Sequence, residues 1–432
     1  MEAFSILGIS LVCYIFYKFL SEIGSTLPII EFMLLISGLQ WIIGPIIEYN
    51  TPYEHYKYYM YVPEDEYMQV VVPAFLIYAT ILLFAAKQFP LKIKNIDSLS
   101  RFAPYGIIFL SIGVIAQIAG ALVPGGLKFF MVIVSNFKYI GAIILFFSDK
   151  PGHKNFFYGA LLLLIVTSLQ SGFFHDLILW SVFFFFYWAM KIKPSFMAKV
   201  AAIGVGLLFV TVIQGVKMQF RDALKGGYDG NKLELFVNIF LDQYQGGYYD
   251  DSENVQGFNS RLNQGWIISA VINHVPDAED FARGETVREA IAASLLPRFL
   301  NPDKKEAGGR ENFMRFSGLW LGDNTSMGIS IIGEFYANYG EAAYIAMGIW
   351  AAFLLLTWRF LYLRQNSIPF IIFFVPLLFL QVVKAETELV VVLNHLVKSA
   401  MVLFAFFYFT KRYLKWPIYF KDEQIENPSN EH

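Results

Sequence analysis

The chain has 432 residues, of which 56% are hydrophobic, 18% aromatic and only 16% charged, a balance outside the range of ordinary soluble domains. Its formal net charge of −2 excludes nucleic-acid binding by the molecule as a whole, since such proteins carry a strongly basic surface. The single cysteine, Cys13, lies in an apolar run, which excludes an intrachain disulfide and a paired-thiolate site.

Runs of about 18 or more mostly apolar residues recur along the sequence, and each predicts a membrane-spanning helix. The predicted fold class is therefore an all-α polytopic membrane protein. We predict about eleven spans, near residues 4–20, 27–46, 67–86, 103–123, 129–148, 155–171, 174–190, 197–215, 341–361, 368–384 and 395–411. The N-terminus has no basic start and no cleavage signal, so we expect the first span to be retained.

One long polar segment interrupts the apolar runs and divides the chain into four parts. These are an N-terminal bundle of about eight spans (1–216), an extracytoplasmic loop (217–340), the C-terminal transmembrane helices (341–415) and a cytoplasmic tail (416–432). We expect the loop to carry the catalytic residues. Glycine pairs punctuate it, but it is not of low complexity, so we predict a folded cap.

Apolar periodicity predicts helices inside this cap at 231–245 and 261–275. The stretch from Thr286 to Glu289 fits a capping box that opens a third helix, which Pro297 would end. The segment 326–339 is amphipathic, which favours a re-entrant or interfacial helix leading into the ninth span.

Short loops rich in Lys and Arg orient the bundle, because such loops face the cytoplasm. They lie at 87–101, at 191–199, at 359–364 and after residue 411, and eleven spans put all four on one side. The long loop then faces outside, as does an acidic segment at 64–66. This arrangement predicts an external N-terminus and a cytoplasmic C-terminus.

The cap carries the residues best suited to an anionic substrate, because arginine offers a planar fork of donors matched to phosphate. Pro297 fixes the backbone ahead of Arg298, and Arg298 with Lys304 can clamp two oxygens of a diphosphate. A solvated basic turn is the competing interpretation. Arg261 opens a predicted helix beside Trp266, which suits phosphate and sugar contact; alternatively, Arg261 is a helix-start arginine paired with an acid.

Lys217 and Arg221 directly follow the eighth span, and their spacing of four places both on one helical face. They would bind substrate or snorkel to the interface, although belts of basic residues are expected at the cytoplasmic end. Glu334 lies in an apolar stretch, where it would orient an arginine or serve as a general base. His274 and His175 are further candidate bases, each with a structural role as the alternative.

Histidine and carboxylate residues do not recur at metal-ligand spacing, so we predict no metal and no other cofactor. Four further ionisable residues would either mark a polar pathway or snorkel: Lys138, Lys384, His395 and Lys398.

In their order and spacing these residues resemble the bacterial oligosaccharide repeat-unit polymerases of the O-antigen polymerase (Wzy) type and, more distantly, the O-antigen ligases. The resemblance covers about 160–345. It rests on Ser171–Gly172, the R-L-N-Q start at Arg261, the Pro297-Arg298 stretch that ends at Lys304, and the run GEFYANYG at 333–340.

The resemblance implies a multi-span protein of the bacterial inner membrane with one large periplasmic loop and a GT-C-like architecture. The substrate would be an undecaprenyl-diphosphate-linked oligosaccharide, and the lipid tail of this substrate would enter sideways between spans. A chain-length regulator would be a further partner. Arg221, Arg261, Arg298 and Lys304 would bind the diphosphate, with Glu334 or His274 as the base or its orienter. His175 stands where members of this family often carry an arginine. This chain therefore has a titratable group at a position where members often have a fixed positive charge.

Three functions remain open at this point: a polymerase, a ligase with the same donor and another acceptor, and a flippase or exporter of lipid-linked glycan. A transporter should concentrate ionisable groups at mid-span and show related halves. Here the charge gathers in one outer loop, which favours an enzyme.

Overall fold

A computed structural model gives the structure of residues 3–52, 58–93, 97–172, 174–245, 262–295, 309–322 and 325–416. Helices are the main secondary structure of this described part of the chain, which contains no β-strand. The α-helices in chain order are α1 (Ala3–Glu22), α2 (Ile29–Gly38), α3 (Gly44–Tyr49), α4 (Glu64–Gln88), α5 (Ala103–Ala119), α6 (Gly125–Ser135), α7 (Phe137–Phe146), α8 (His153–Ser171), α9 (His175–Ile192), α10 (Phe196–Lys225), α11 (Lys232–Gln245), α12 (Gly265–His274), α13 (Glu285–Leu295), α14 (Arg310–Ser317), α15 (Ser330–Tyr339), α16 (Ala343–Ser367), α17 (Val375–Phe379) and α18 (Leu389–Phe409).

Eight helical segments of the described chain are long and apolar enough to cross a bilayer, which makes this an all-α polytopic membrane protein. They are Ala3–Glu22, Ile29–Tyr49, Glu64–Gln88, Leu99–Ala119, Leu127–Phe146, Phe196–Lys217, Ser330–Ser367 and Leu389–Leu414. The predicted sixth and seventh spans coincide with α8 and α9, and the tenth with the shorter apolar piece Pro369–Phe379. These three are not among the eight, so the count of eleven stays a prediction.

The basic loops meet at one end of the bundle. Lys191 Nζ donates to the Phe146 carbonyl at 2.7 Å, and Lys199 Nζ donates to the Leu20 carbonyl at 3.0 Å. Trp358 Nε1 similarly donates to the Phe89 carbonyl at 2.9 Å. We call the opposite end, which carries the cap, the outer end; the side of the membrane that it faces stays a prediction.

The predicted boundary between bundle and cap falls inside one continuous helix. The 30-residue helix α10 runs through positions 216 and 217 and ends at Lys225. The predicted helix at 231–245 is confirmed as α11, which turns back along α10: Phe236 contacts Phe220, and Gln243 Nε2 donates to the Gly215 carbonyl at 3.2 Å. The first part of the cap is therefore a helical hairpin rooted in the bundle.

The second and third cap helices are present as α12 and α13, but the predicted capping box at Thr286 is wrong. The helix α13 begins at Glu285, so Thr286 already lies in its first turn. Asn338 makes the end contacts instead, because its Oδ1 accepts from the Gly284 N–H at 2.9 Å and its Nδ2 donates to the Thr286 hydroxyl at 2.7 Å. Asn338, which is distant in the sequence, therefore makes the contacts that a local capping residue was expected to make.

Within the segment predicted as amphipathic at 326–339, the helix α15 begins at Ser330, and its residues 330–338 are all buried. Ile331 shares a small internal cavity with Trp350, which lies seven residues into α16, or about 10 Å along its axis. The helix α15 therefore starts inside the bundle and rises to the outer end, where residues 340–342 connect it to α16.

Candidate functional site

The chain between α17 and α18, residues 380–388, is non-helical and mostly buried between two apolar helices. Its neighbours hold it in place: Ser330 Oγ donates to the Ala385 carbonyl, and Asn312 Nδ2 donates to Glu388 Oε2 at 2.9 Å. Irregular backbone at membrane depth is tolerated only where protein buries it or where it lines a polar cavity. This segment is therefore a natural place for a functional site.

Four side chains from this segment and from the start of α9 form what we call the charge cluster: His175, Asp176, Lys384 and Glu386. His175 Nδ1 lies 3.4 Å from Glu386 Oε1, and Lys384 Nζ lies 3.9 Å from Asp176 Oδ1. Gln40 Nε2 donates to the other carboxylate oxygen of Glu386 at 3.3 Å. The His175 side chain is 43% exposed and that of Lys384 only 11% exposed, so the cluster reaches from the protein interior to an open surface.

One predicted substrate-binding residue, His175, belongs to this cluster, and two others, Lys217 and Arg221, lie on the neighbouring helix end. Lys217 lies within electrostatic range of His175. Arg221 Nε donates to the Gly172 carbonyl at 2.8 Å, three residues before His175. Burial lowers the pKa of Arg221, but a guanidinium stays protonated at any physiological pH. His175 is also the first residue of α9, where the free N–H groups of a helix favour an anion.

Glu334 and Trp266, also predicted as site residues, are buried. Glu334 is 1% exposed, and its Oε2 accepts the Leu389 N–H at 2.8 Å, so it anchors the first turn of α18. Trp266 is 5% exposed and packs on Tyr58 and Phe313, with ring centroids 5.1 and 6.1 Å away. This position favours a packing role for Trp266 over a sugar platform.

His274, the last residue of α12, lies against Gly318, where an added Cβ would come within 2.7 Å of its Nδ1. This contact belongs to the cap and involves none of the charge cluster. Three further predicted residues, Arg261, Arg298 and Lys304, lie outside the described residues.

Sequence reasoning missed Gln40 and Glu386, and it read Lys384 as a span residue. A signal was present, because Lys384, Glu386 and Glu388 place three ionisable residues within five positions directly after an apolar run. Such density argues against the end of a regular span and for an irregular polar turn. Gln40 carried no signal, because it lies 346 positions from its partner in the chain.

The arrangement has two chemical capacities. Lys217, Arg221 and Lys384, with the N-terminus of α9, supply cationic and N–H donors for a phosphate-like group. His175 beside Glu386 supplies a proton acceptor whose imidazole is oriented by a carboxylate.

Bilayer-length apolar helices around a buried irregular segment, with a charge cluster at one end, define a polytopic membrane protein with a polar site at the outer end of its bundle. The chain matches no protein-family model, no curated protein and no solved structure.

Proposed function

We propose that this protein polymerises undecaprenyl-diphosphate-linked oligosaccharide repeat units into a surface polysaccharide, such as an O-antigen, a capsule or an exopolysaccharide. The observation that carries the proposal is the charge cluster at the outer end of the bundle, with its His175–Glu386 and Lys384–Asp176 pairs, beside the end of α10 where Arg221 donates to the Gly172 carbonyl. A lipid carrier embedded among the spans would present its diphosphate at this level.

The proposed reaction is a metal-independent glycosyl transfer. The bond between the anomeric carbon of the growing chain and its diphosphate oxygen breaks, and both bonding electrons leave with the diphosphate. Lys217, Arg221 and Lys384 stabilise that developing negative charge, which is the main requirement of a reaction without a metal. Arg261, Arg298 and Lys304 keep the diphosphate role proposed from the sequence.

The acceptor is a hydroxyl at the non-reducing end of a fresh repeat unit. Its oxygen forms the new bond to the anomeric carbon, through the oxocarbenium-like transition state expected for glycosyl transfer. His175 takes the hydroxyl proton, while the Glu386 carboxylate stabilises the imidazolium that forms. Glu334 takes no direct part in the reaction and acts as a positioning residue, because it holds the start of α18 beside the cluster.

The proposed function places the protein in the bacterial inner membrane, with its outer end facing the periplasm and its C-terminus facing the cytoplasm. A reporter enzyme fused near position 250 tests this orientation. Activity of a reporter that works only outside the cytoplasm is the expected result, whereas activity of a cytoplasmic reporter would overturn it.

The first test of the function compares glycan ladders from a strain without this gene and from its parent. Loss of long chains, with a single repeat unit still attached to its final acceptor, is expected for a polymerase. Loss of all attached glycan, with polymer accumulating on its lipid carrier, would identify a ligase instead.

Site variants then test the residues. His175→Ala and Lys384→Ala should abolish long chains while the protein remains in the membrane, because one removes the base and the other a phosphate ligand. Lys193→Ala is the matched control, since it removes an exposed lysine from the opposite end of the bundle. Normal chain length in both site variants would refute the site.

One observation favours the transporter alternative. Lys138 is 5% exposed within α7, where its Nζ donates to the Ser135 carbonyl at 3.1 Å, so an ionisable group is buried inside the bundle as well as at the cluster. Intramembrane ionisable residues often mark transport pathways. Accumulation of lipid-linked repeat units facing the cytoplasm in the strain without the gene would support this alternative.

A further inference from the structure

The antiparallel helices α9 and α10 are tied to each other at both ends. At the inner end only residues 193–195 separate them. At the outer end the rings of Phe174 and Phe220 lie 5.8 Å apart, and Arg221 Nε donates to the Gly172 carbonyl at 2.8 Å. Helices joined in this way would ordinarily pack along their whole length.

The middle of α10 nevertheless stands away from the bundle. Residues 204–209 are all exposed, and six successive residues pass every face of a helix that has about 3.6 residues per turn. Only 6% of the span Phe196–Lys217 is buried, against 33–67% for the other seven spans. In the described structure, a Cβ added to Gly204 or Gly206 would meet nothing within 4 Å.

One face of the exposed stretch of α10 turns toward α9. Gly206 lies two turns below the buried residue Ile213 and therefore on the same face of α10 as Phe220, which contacts Phe174 just before the start of α9. On α9, Ile178 and Val182 continue the face that begins with Phe174, and they are only half-buried. We call the space between these two faces the α9–α10 slit.

The walls of the slit are apolar and its mouth is charged. Farther down the α9 face, Phe185 stacks on Trp188 with ring centroids 5.9 Å apart, and both are half-buried. At the outer end, α9 begins at His175 and α10 carries Lys217. Lys217 lies about 15 Å above the middle of the open stretch, at a rise of about 1.5 Å per residue.

We propose that the α9–α10 slit receives the polyprenyl tail of the lipid carrier while the diphosphate binds at its mouth. This inference rests on the proposed function and goes beyond it by assigning the tail to one pair of helices. An apolar slit whose mouth carries Lys217 and Arg221 beside the charge cluster matches an amphiphile with an anionic head and one long chain. Because α10 is held to α9 at both ends, the α9–α10 slit stays open without a further helix to support it.

The test measures binding of two probes, undecaprenyl diphosphate and farnesyl diphosphate, to the purified full-length protein. Gly206→Trp places a ring in the slit, while Gly204→Trp, about half a turn away, places the same ring on the opposite face of the same helix. Both positions have open space for a side chain, so both variants should fold.

Gly206→Trp should weaken undecaprenyl diphosphate binding by about tenfold, the factor expected when a few well-packed contacts are lost. Farnesyl diphosphate binding should not change, because its short tail need not pass Gly206, and Gly204→Trp should leave both affinities unchanged. Wild-type affinity in Gly206→Trp, or equal losses in the two variants, would overturn the assignment of the slit. Displacement of undecaprenyl diphosphate by an equal concentration of phosphatidic acid would assign the slit to ordinary membrane lipid and would also overturn it.

Binding of the two diphosphates to the wild-type protein distinguishes a failure of the proposed function from a failure of the slit assignment. A wild-type protein that binds neither diphosphate would refute the donor itself. A wild-type protein that binds both equally well would leave the donor intact and refute only the role of the slit.

Discussion

Two helix pairs in this bundle use glycine in opposite ways. Where α5 crosses α7, a Cβ on Gly113 would collide with the backbone of Lys138, and a Cβ on Gly106 would lie 3.0 Å from the Gly141 carbonyl oxygen. In the middle of α10, a Cβ on Gly206, on the face that turns toward α9, would meet nothing within 4 Å. The first pair needs its glycines for backbone contact, whereas the second pair leaves space where contact would be expected.

The difference follows from the physics of helix association in lipid. Lipid tails are as apolar as the side chains, so no hydrophobic force drives helices together, and close packing depends on small residues and polar contacts. The pair α9–α10 has such contacts at its outer end, at Phe174–Phe220 and at Arg221–Gly172, and is joined at its inner end by residues 193–195. Packing therefore holds the charge cluster in place at the outer end, while the α9–α10 slit below it stays open.

The largest loss of stability is expected from Gly113→Leu. Its side chain would push α5 away from the backbone of Lys138, and overpacking of this kind costs about 3 kcal/mol or more when backbone must move. The thermal-unfolding midpoint of the purified protein should fall strongly. Gly204→Leu is the matched control, and equal stability of the two variants would erase the contrast between the helix pairs.

Glu388→Ala should have the next largest effect, because Glu388 is 1% exposed and accepts from Asn312 Nδ2 and from the Ile329 N–H. Removing the carboxylate leaves buried donors without an acceptor, at about 2 kcal/mol. Glu388→Gln keeps an acceptor oxygen and should recover part of the loss in the same unfolding measurement. An Ala variant as stable as the parent would show that this carboxylate does not hold the irregular segment in place.

Arg315→Ala in the cap should have a smaller effect. Arg315 Nε lies 2.5 Å from Glu279 Oε1 and Nη1 lies 3.1 Å from Glu285 Oε2, but its side chain is 33% exposed, so solvent screens both ion pairs. We expect a loss of about 1 kcal/mol, which high salt should reduce further. A loss as large as that of Glu388→Ala would mean that the cap is held as rigidly as the bundle.

The smallest effect is expected from Gly204→Ala. The added methyl meets open space, and replacing a helical glycine by alanine stabilises by at most about 1 kcal/mol. The unfolding midpoint should stay level or rise slightly. A clear fall would indicate that something packs against this face of α10.

Sequence reasoning succeeded where the signal is local. The positions of α4, α10 and α18 follow from long apolar runs, and the helix at 231–245 follows from its periodicity. It failed at the start of α13, where the distant residue Asn338 makes the contacts that were expected of Thr286.

The candidate site shows the same division. His175, Lys217 and Arg221 stand at outer helix ends, so topology alone predicts that they face one side of the membrane. Topology does not say that Glu386 approaches His175 to 3.4 Å, because that contact needs the irregular segment at 380–388 to fold back into the bundle.

The sequence by itself determined that this is an all-α membrane protein, because apolar length and loop charge are properties of single segments. Only the tertiary structure decided which charges meet, which glycines touch a neighbouring helix and where two helices part. Those features depend on contacts between residues far apart in the chain, such as Gln40 and Glu386 at a separation of 346 positions, and no local pattern encodes them.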